Sequence, residues 1–531
     1  MSNRVSEILI HKLTTWPKPL SFTCRKELLC GPDALTRFYL NRVFKPAWSD
    51  NDGPLPQATD LVKKIREADR DGLRPDDYHF ANIEALLAEV AFHKITNRPF
   101  DPSILADLDL LLTDAFLLYG SHLLTGHVNP ETIQSEWLIK TREADLVVIL
   151  ETALNTNEIE KALENLLPQY AGYVGLKKAL SQYRNILKGG GWSEVPSGSI
   201  MEKGDRATRV CALKTRLSIS GDLELPAEND CNIFDGDLDR AVRRFQERHG
   251  LQLDGIVGRS TLKALNIPVN QQVGQLKSNL ERWRWLPQTL GSRYILVNIA
   301  NFELRIVENG QTVIKMPVVV GRRYRRTPVF TGNMTYLELN PHWHVPHSIA
   351  REDILPKVQK DPQYLIRQNM KVFQSWEANA PEIAPESVDW SKITSRNLSF
   401  KLRQEPGPAN ALGRVKFMFP NKFSVYLHDT PAKELFKKPK RSFSSGCIRV
   451  EKPIELIAYL FRNDPNWTRQ KIREVINSDK TQIVQIPEPI PVHLLYWTAW
   501  VDSEGRIHFR DDVYGRDKRL IRALSERPPT P

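Results

Sequence analysis

The period of the apolar residues changes near residue 293, and this change limits the chain to folds with separate helical and β-rich parts. Up to about residue 285 the apolar side chains recur at the spacing of an amphipathic helix. Beyond residue 293 they alternate along two segments, with Ile295, Val297 and Ile299 followed by Phe302, Leu304 and Ile306. Asn309-Gly310 comes next, and alternating segments around an Asn-Gly pair predict a β-hairpin. We therefore expect a multidomain α+β protein.

The helical part begins with a long segment that predicts a scaffold domain. Residues 35–196 have helical periodicity interrupted by Gly and Pro turn signals. Within it the apolar stretch 105–124 contains Asp107, Asp109 and Asp114, so it predicts a buried helix rather than a membrane span. The Gly- and Pro-rich residues 189–199 predict a flexible boundary after this domain. A length of 531 residues fits several domains, because one domain holds roughly 150 residues.

Charge and cysteine content narrow the classes of partner. The chain has 74 Lys and Arg against 63 Asp and Glu, and the net charge of +11 favours anionic partners. It has no zinc-finger Cys/His spacing and no RNA-binding aromatic signature, so we expect no nucleic-acid partner.

Five cysteines cannot build a disulfide framework, and their odd number leaves at least one free thiol. The N-terminus shows no apolar core of a secretory signal peptide.

Residues 204–266 predict a small three-helix module with turn glycines between its helices. The module resembles the helical peptidoglycan-binding family through Ala241-Val242, Phe245-Gln246, Gly250-Leu251, Asp254-Gly255, Val257-Gly258, Thr261 and Leu265-Asn266. This resemblance implies affinity for cell-wall glycan or stem peptide, and no catalysis. The alternative is an unrelated three-helix bundle with a similar helix-turn-helix pattern.

The candidate catalytic residues lie in two short segments of the sequence. The first contains Tyr426 and His428, and the second is Ser444-Ser445-Gly446-Cys447-Ile448-Arg449. A thiol needs a base to become a thiolate, and a small turning residue beside it lets amide N–H groups face a developing oxyanion. The separation of 19 positions from His428 to Cys447 allows a strand end and a loop to bring imidazole and sulfur together.

These runs resemble the L,D-transpeptidase catalytic domain, whose Ser-x-Gly-Cys-x-Arg motif matches Ser444, Gly446, Cys447 and Arg449. Many members have His where this chain has Ser445. That departure is typical of the larger branch with a helical scaffold, a peptidoglycan-binding module and an extended catalytic domain. Other features of that branch are 340–346 (Asn-Pro-His-Trp-His-Val-Pro), Thr327-Pro328 and 496–498 (Tyr-Trp-Thr). The resemblance covers residues 35–517.

The resemblance implies a role for each matched residue. Cys447 would attack the carbonyl of the third residue of a tetrapeptide stem, expel D-alanine and form a thioester. His428 would take the thiol proton, and the amides near Gly446 and Cys447, in the loop with Ser445, would hold the oxyanion. Arg449 would position the loop or pair with a substrate carboxylate. The expected substrate-binding residues are Tyr426, Trp343 and Ser444, although core packing is the default for the two aromatic side chains.

The catalytic domain is expected at 293–487, followed by a C-terminal extension at 488–531. Residues 340–414 form an insertion too long for an ordinary loop, and we interpret it as a lid. It contains His342, His344 and His347, but no Cys completes a metal site and thiol chemistry needs none, so no metal or cofactor is expected. The basic clusters 322–326 and 437–441 are solvated surface or attract anionic stem peptides.

The expected function is therefore a peptidoglycan L,D-transpeptidase that joins the third residues of neighbouring donor and acceptor stems. Hydrolysis of the same thioester (L,D-carboxypeptidase) and attachment of a protein to the wall are alternatives, because only the acceptor differs. A non-catalytic wall-binding protein is the alternative from another class. The substrate implies the periplasm or cell envelope, carbapenems as covalent inhibitors, and other cell-wall enzymes as candidate partners.

Overall fold

The computed structural model describes residues 1–14, 23–29, 31–96, 98–133, 139–224 and 230–526, which form two compact units. The first unit contains the described residues of Met1–Ser135, Ile139–Thr289 and Thr498–Pro531. The second is built from Leu290–Trp497. The change of period near residue 293 therefore coincides with the start of the second unit.

The α-helices of the described residues are α1 (Ser2–Thr14), α2 (Pro32–Asn41), α3 (Pro56–Arg66), α4 (Phe80–Ile95), α5 (Pro102–Thr125), α6 (Pro130–Ile133), α7 (Leu146–Thr156), α8 (Ile159–Asn165), α9 (Ala171–Lys188), α10 (Thr208–Ile219), α11 (Gly236–Arg248), α12 (Arg259–Leu265), α13 (Val269–Arg284), α14 (His347–Ile349), α15 (Leu355–Lys360), α16 (Tyr364–Arg367), α17 (Pro453–Leu460), α18 (Arg469–Asn477) and α19 (Arg516–Ser525). A π-helical turn, Ala350–Ile354, joins α14 to α15.

The strands are β1 (Thr23–Cys24), β2 (Glu27–Leu28), β3 (Arg293–Asn298), β4 (Glu303–Glu308), β5 (Gln311–Gly321), β6 (Phe330–Leu339), β7 (Trp343–His344), β8 (Met370–Phe373), β9 (Glu382–Ile383), β10 (Lys401–Gln404), β11 (Val415–Met418), β12 (Leu427–His428), β13 (Ser442–Ser444), β14 (Ile448–Val450), β15 (Gln482–Leu495), β16 (Ala499–Val501) and β17 (Ile507–Phe509).

Helix α5 is the centre of the scaffold part of the first unit and is buried along almost its whole length. The carboxylates of this helix accept hydrogen bonds within the core. The helix can therefore contain acidic residues and still be buried. Asp109 accepts hydrogen bonds from the Tyr39 hydroxyl at 2.7 Å and from the amides of Ala47 and Trp48 at 2.8 and 3.0 Å. The buried helix predicted at 105–124 is confirmed. Within the described part of the chain, no helix combines the length and apolarity needed to cross a bilayer.

The predicted three-helix module consists of α10, α11 and α12 around its own apolar core. A disulfide joins Cys211 to Cys231 within the module, although the cysteine count predicted no framework. The buried guanidinium of Arg248 donates to the carbonyl of Ile507 at 2.6 Å, outside the module. The residues expected as a flexible boundary are tied down as well, because the Val195 amide donates to the Asn266 side chain at 2.9 Å.

The C-terminal residues belong to two different parts of the molecule. Strand β15 continues through the boundary expected at residue 487 and pairs with β3 as far as Leu495. Beyond Trp497, the β16–β17 hairpin and α19 belong to the first unit, where Arg282 of α13 forms a buried ion pair with Asp517 at 2.5 Å. The expected extension 488–531 is therefore not a separate element.

A nine-stranded sheet organises the second unit in the order β13-β5-β14-β12-β11-β6-β15-β3-β4, with a further pairing between β4 and β5. The β4–β5 hairpin turns at Asn309-Gly310, as predicted. Both residues have positive φ, 47° and 79°, which is the requirement of a tight two-residue turn. The strands β11, β12 and β14 at the middle of this sheet carry the candidate site.

The insertion at 340–414 is a folded subdomain and not a long loop. It has a four-stranded sheet in the order β7-β10-β8-β9 and the short helices α14 to α16. Its buried apolar side chains form a separate core that includes Val358, Leu365, Val372 and Trp390. We keep the name lid for residues 340–414.

Candidate active site

Two short parallel strands put the four sequence-predicted polar residues on one face of the sheet. Leu427 pairs with Ile448 and His428 pairs with Arg449, and the Ile448 amide donates to the Tyr426 carbonyl at 3.1 Å. Side chains alternate along a strand, so those of Tyr426 and His428 share a face, as do those of Cys447 and Arg449. Leu427 and Ile448 are buried on the opposite face. The register therefore brings base and nucleophile to adjacent strands.

His428 is buried and held by its own backbone. Its Nδ1 lies 2.5 Å from the carbonyl oxygen of Asp429. Burial, together with the charge of Arg449, lowers the pKa of the imidazole to about 3. The ring is neutral near pH 7 and also makes a backbone hydrogen bond with Leu412. A neutral imidazole has one proton, so it donates from one nitrogen to a carbonyl and keeps a lone pair on the other, which is the state that a general base requires.

Cys447 is half-buried beside Tyr426. Its Sγ lies 3.8 Å from the carbonyl oxygen of Ser424, and its thiol interacts electrostatically with the neighbouring Tyr426. Burial raises the pKa of the thiol, and the Tyr426 hydrogen bonds and the charge of Lys416 oppose this shift. No hydrogen bond joins Cys447 to His428 in the described residues. The resting pair is thus a thiol and a neutral imidazole.

Tyr426 joins the two reacting groups. Its ring lies edge-on to that of His428, with 5.7 Å between centroids, and burial and the neighbouring Cys447 raise the pKa of its hydroxyl. The sequence predicted Tyr426 as a substrate-binding residue, and the structure places it beside Cys447 and His428. Its contact with Cys447 depends on the strand register, which the sequence pattern did not provide.

The turn before Cys447 is fixed by internal hydrogen bonds. The Ser444 hydroxyl donates to the Cys447 carbonyl at 2.5 Å and accepts from the Gly446 amide at 3.2 Å. The Gly446 carbonyl accepts from Thr327 Oγ1 at 2.8 Å. Gly446 has φ 121°, a conformation in which an L side chain is strained.

These bonds correct two expectations. Ser444 is 3% exposed and holds the turn, so it is not placed to bind substrate. The Gly446 amide is already used by Ser444 and is not free for an oxyanion. Of the amides in this turn, as far as the chain is described, those of Ser445 and Cys447 donate to no acceptor. They are the groups that can stabilise an oxyanion here.

Lys416 is a site residue that sequence reasoning missed. It pairs with His428 across β11 and β12, and its ammonium lies 4.6 Å from the centroid of the Tyr426 ring. Its Nζ is also 3.6 Å from a carboxylate oxygen of Glu338. The signal in the sequence was the alternation of β11, where Lys416 stands between the buried Val415 and Phe417.

Arg449 supplies a second cation on the same face. Burial lowers the pKa of its guanidinium, and its Nε has no hydrogen-bond partner among the described residues. Lys416 and Arg449 together make the floor of the site electropositive, which suits a substrate that carries carboxylates.

Trp343 and the three nearby histidines lie in the lid. Trp343 pairs with Gln404 and packs against the lid core. Its position fits the default expectation of core packing better than substrate binding. His342 lies 3.4 Å from Glu405, and His347 is within 3.2 Å of the Leu398 carbonyl. Among the described residues, no three or more His, Cys, Asp and Glu side chains are grouped so that they could hold a metal ion.

The basic clusters are more structured than solvated surface. The guanidinium of Arg441 donates to the carbonyls of Val318, Lys438 and Phe302 at 3.3, 2.7 and 3.1 Å. Arg322 donates from Nε to the Phe443 carbonyl at 2.9 Å. Both arginines therefore brace the strand that leads into the Cys447 turn.

Three family models match consecutive parts of this chain. Residues 33–180 match a "Scaffold domain", residues 206–265 a "Putative peptidoglycan binding domain", and residues 292–467 an "L,D-transpeptidase catalytic domain". Residues 292–467 contain the whole Tyr426, His428 and Cys447 face. The match to the catalytic domain therefore lies in the second unit, and the other two matches lie in the first.

Two curated relatives share part of the sequence. A "Putative L,D-transpeptidase" of Haemophilus influenzae is 34% identical over 267 residues, which is 49% of this chain and 53% of the relative. The "N-acetylmuramoyl-L-alanine amidase CwlM" of Mycobacterium tuberculosis is 37% identical over 75 residues, 13% of this chain and 18% of the relative. The chain thus spans about half the length of the first relative and about a fifth of the second.

Two solved structures of L,D-transpeptidases also align. The protein from Stackebrandtia nassauensis is 12% identical with a TM-score of 0.22, over 57% of this chain and 97% of its own. The one from Xylanimonas cellulosilytica is 15% identical with a TM-score of 0.18, over 57% of this chain and 100% of its own.

Proposed function

We propose that this chain is a peptidoglycan L,D-transpeptidase that forms 3-3 cross-links between stem peptides through a cysteine thioester. The observation that carries the proposal is the shared face of Cys447, Tyr426 and His428, set by the parallel pairing of β12 and β14. The match of residues 292–467 to the L,D-transpeptidase catalytic domain supports the reaction class. The match of residues 206–265 to a peptidoglycan-binding domain supports the polymer as substrate.

The first half-reaction is acylation of Cys447. The unprotonated ring nitrogen of His428 takes the thiol proton as the sulfur attacks the carbonyl carbon of the third stem residue. The Ser445 and Cys447 amides donate to the oxyanion that forms. When the tetrahedral intermediate collapses, its C–N bond breaks and the imidazolium returns the proton to the leaving amine. D-Alanine departs, and the acyl group remains on sulfur.

The second half-reaction transfers the acyl group to an acceptor. The side-chain amine of the third residue of another stem attacks the thioester carbonyl, and His428 takes a proton from that amine. The C–S bond breaks, the thiol is restored, and the new amide joins the two third residues. Water or an amine of a protein in the acceptor position would give the carboxypeptidase or ligase outcome from the same acyl-enzyme.

Substrate and partners follow from this chemistry. Peptidoglycan lies outside the cytoplasmic membrane, so the protein acts at an extracytoplasmic location, and we propose the periplasm or cell envelope. Its partners are donor and acceptor stems, and other cell-wall enzymes remain candidates. A carbapenem is expected to acylate the same thiol.

Product analysis tests the proposal. The purified protein is incubated with disaccharide-tetrapeptide and the products are identified by mass spectrometry, with Cys447→Ala as the control. We expect a dimer linked between third residues, together with free D-alanine, from the wild type only. Disaccharide-tripeptide without dimer would replace the proposal with hydrolysis. If the disaccharide-tetrapeptide is recovered unchanged, the remaining hypothesis is a non-catalytic wall-binding protein.

A further inference from the structure

Arg325 connects the lid to the turn that carries the nucleophile. It lies in the loop 322–326, between β5 and β6. Its Nη1 donates to the hydroxyl of Ser445 at 2.8 Å, two residues before Cys447. The same guanidinium forms ion pairs with Glu352 and Asp353. Both acids belong to the π-helical turn Ala350–Ile354 of the lid.

The geometry uses the shape of the guanidinium as well as its charge. Nη1 donates hydrogen bonds to Ser445 and Asp353, while Nη2 donates to Glu352. The Arg325 side chain is 12% exposed and Asp353 29%, whereas Glu352 is 59% exposed, so Asp353 is the more enclosed of the two acidic partners. A planar fork of donors can satisfy three acceptors in fixed directions, whereas an ammonium is a single charged point.

Arg322 makes a parallel connection beside it. Its amide donates to the Ser444 carbonyl at 3.0 Å, and its Nη1 lies 3.7 Å from Asp353. The turn before Cys447 is therefore bound to loop 322–326 through both Ser444 and Ser445. The lid reaches that turn through Asp353 and Glu352.

We propose that Arg325 is a positioning residue that couples the placement of the lid to the placement of the Ser445 and Cys447 amides. This inference rests on the proposed function. Ser445 carries one of the two amides available to an oxyanion, so a shift of its backbone changes stabilisation of the transition state. A lid displaced by a poorly fitting stem pulls on Glu352 and Asp353 and, through Arg325, moves the oxyanion donors. Correct donor stems therefore select the active arrangement of the turn.

The test compares variants that separate shape from charge. Arg325→Lys keeps the charge but loses the fork, Arg325→Gln loses both, and Ser445→Ala removes the acceptor without touching the lid acids. Arg473→Gln is the matched control, because Arg473 is an exposed residue of α18 and its loss changes the net charge equally. Acylation by disaccharide-tetrapeptide is measured as kcat and KM, and the intrinsic reactivity of Cys447 is measured with iodoacetamide. Thermal unfolding of each variant shows that it is folded.

We expect Arg325→Lys and Arg325→Gln to lower kcat by about tenfold or more, with alkylation by iodoacetamide unchanged within about twofold. Arg473→Gln should retain the wild-type kcat. Because Ser445→Ala breaks the same bridge, the double variant with Arg325→Gln should lose little beyond either single variant. Restored kcat in Arg325→Lys, or additive losses in the double variant, would overturn the coupling. A wild type that releases no D-alanine would instead refute the proposed function itself.

Discussion

His428 and Arg449 are register partners on the parallel strands β12 and β14, and the buried imidazole has its pKa lowered to about 3 with the charge of Arg449 contributing. In the proposed role of general base, an imidazole with this pKa is neutral and available at neutral pH. It is also a weak base, so we expect the proton to move while the sulfur attacks, without a preformed thiolate–imidazolium pair. The raised pKa of the Cys447 thiol points the same way.

The pH dependence of acylation follows from these shifts. A general base must be neutral, and a lowered pKa keeps His428 neutral down to low pH. We expect kcat/KM to stay level from about pH 7 to about pH 5, below the ordinary histidine pKa of about 6.5. An acid limb centred near pH 6.5 in the pH profile would contradict the buried, cation-flanked imidazole.

Arg449→Gln provides the matching change of charge. Removing this cation should raise the pKa of His428 and move the acid limb of kcat/KM to higher pH, while burial keeps that pKa below its ordinary value. The profile is measured beside that of the wild type in the same buffers. An acid limb that stays in place would mean that burial alone sets the pKa.

Tyr426→Phe should lower the rate of acylation by about tenfold, because it removes the polar hydroxyl next to the thiol but keeps the ring against His428. His428→Ala should cost more, by a factor of about 10² to 10⁴, since it removes the base. Stopped-flow measurement of acylation by the tetrapeptide stem compares the two variants. An equal loss in both, with both folded, would give Tyr426 a direct role in proton transfer.

A carbapenem should add to this chain once, at Cys447. Cys24 is buried with its pKa raised to about 12, and Cys211 and Cys231 are joined in a disulfide. Cys30 lies outside the described residues, so peptide mapping has to cover it. The added mass is expected on the peptide that contains 444–449, and a label on any other cysteine would identify a different nucleophile.

Gly172→Ala should destabilise the first unit. A Cβ at Gly172 in α9 would lie 2.5 Å from Cζ2 of Trp283 in α13, so the two helices would have to separate. Overpacking of this kind costs about 1–3 kcal/mol. Gly189→Ala is the control, because its nearest atoms would lie 3.5 Å away. Thermal unfolding should show a lower Tm for Gly172→Ala and an unchanged Tm for Gly189→Ala. Equal Tm values for the two variants would contradict the close contact between Gly172 and Trp283.

The sequence was most informative where local pattern and local structure coincide. Asn309-Gly310 predicted a hairpin because a tight two-residue turn requires positive φ at both positions, and Asn and Gly adopt positive φ readily. The apolar run with Asp109 predicted a buried helix because its spacing is helical. The Ser-x-Gly-Cys-x-Arg motif predicted a turn that carries Cys447 because its residues are neighbours in sequence, and the role of Cys447 as nucleophile stays a prediction.

Long-range pairing explains what the sequence left out. The contact of Tyr426 with Cys447, and the place of Lys416 opposite His428, depend on the register of strands far apart in sequence. The end of the catalytic sheet was misplaced at 487 because β15 contains Pro487, Pro489 and Pro491, which suggest an end of regular structure. Ser444 has a motif position typical of substrate contact, yet its bonds to the turn are visible only in three dimensions.

The central claim is that Cys447 becomes a thioester with loss of D-alanine, and intact mass spectrometry after rapid acid quenching tests it most directly. The account predicts one adduct on the wild type, with the mass of disaccharide-tetrapeptide minus D-alanine, located at Cys447 and absent from folded Cys447→Ala. Release of D-alanine by Cys447→Ala at the wild-type rate would contradict it.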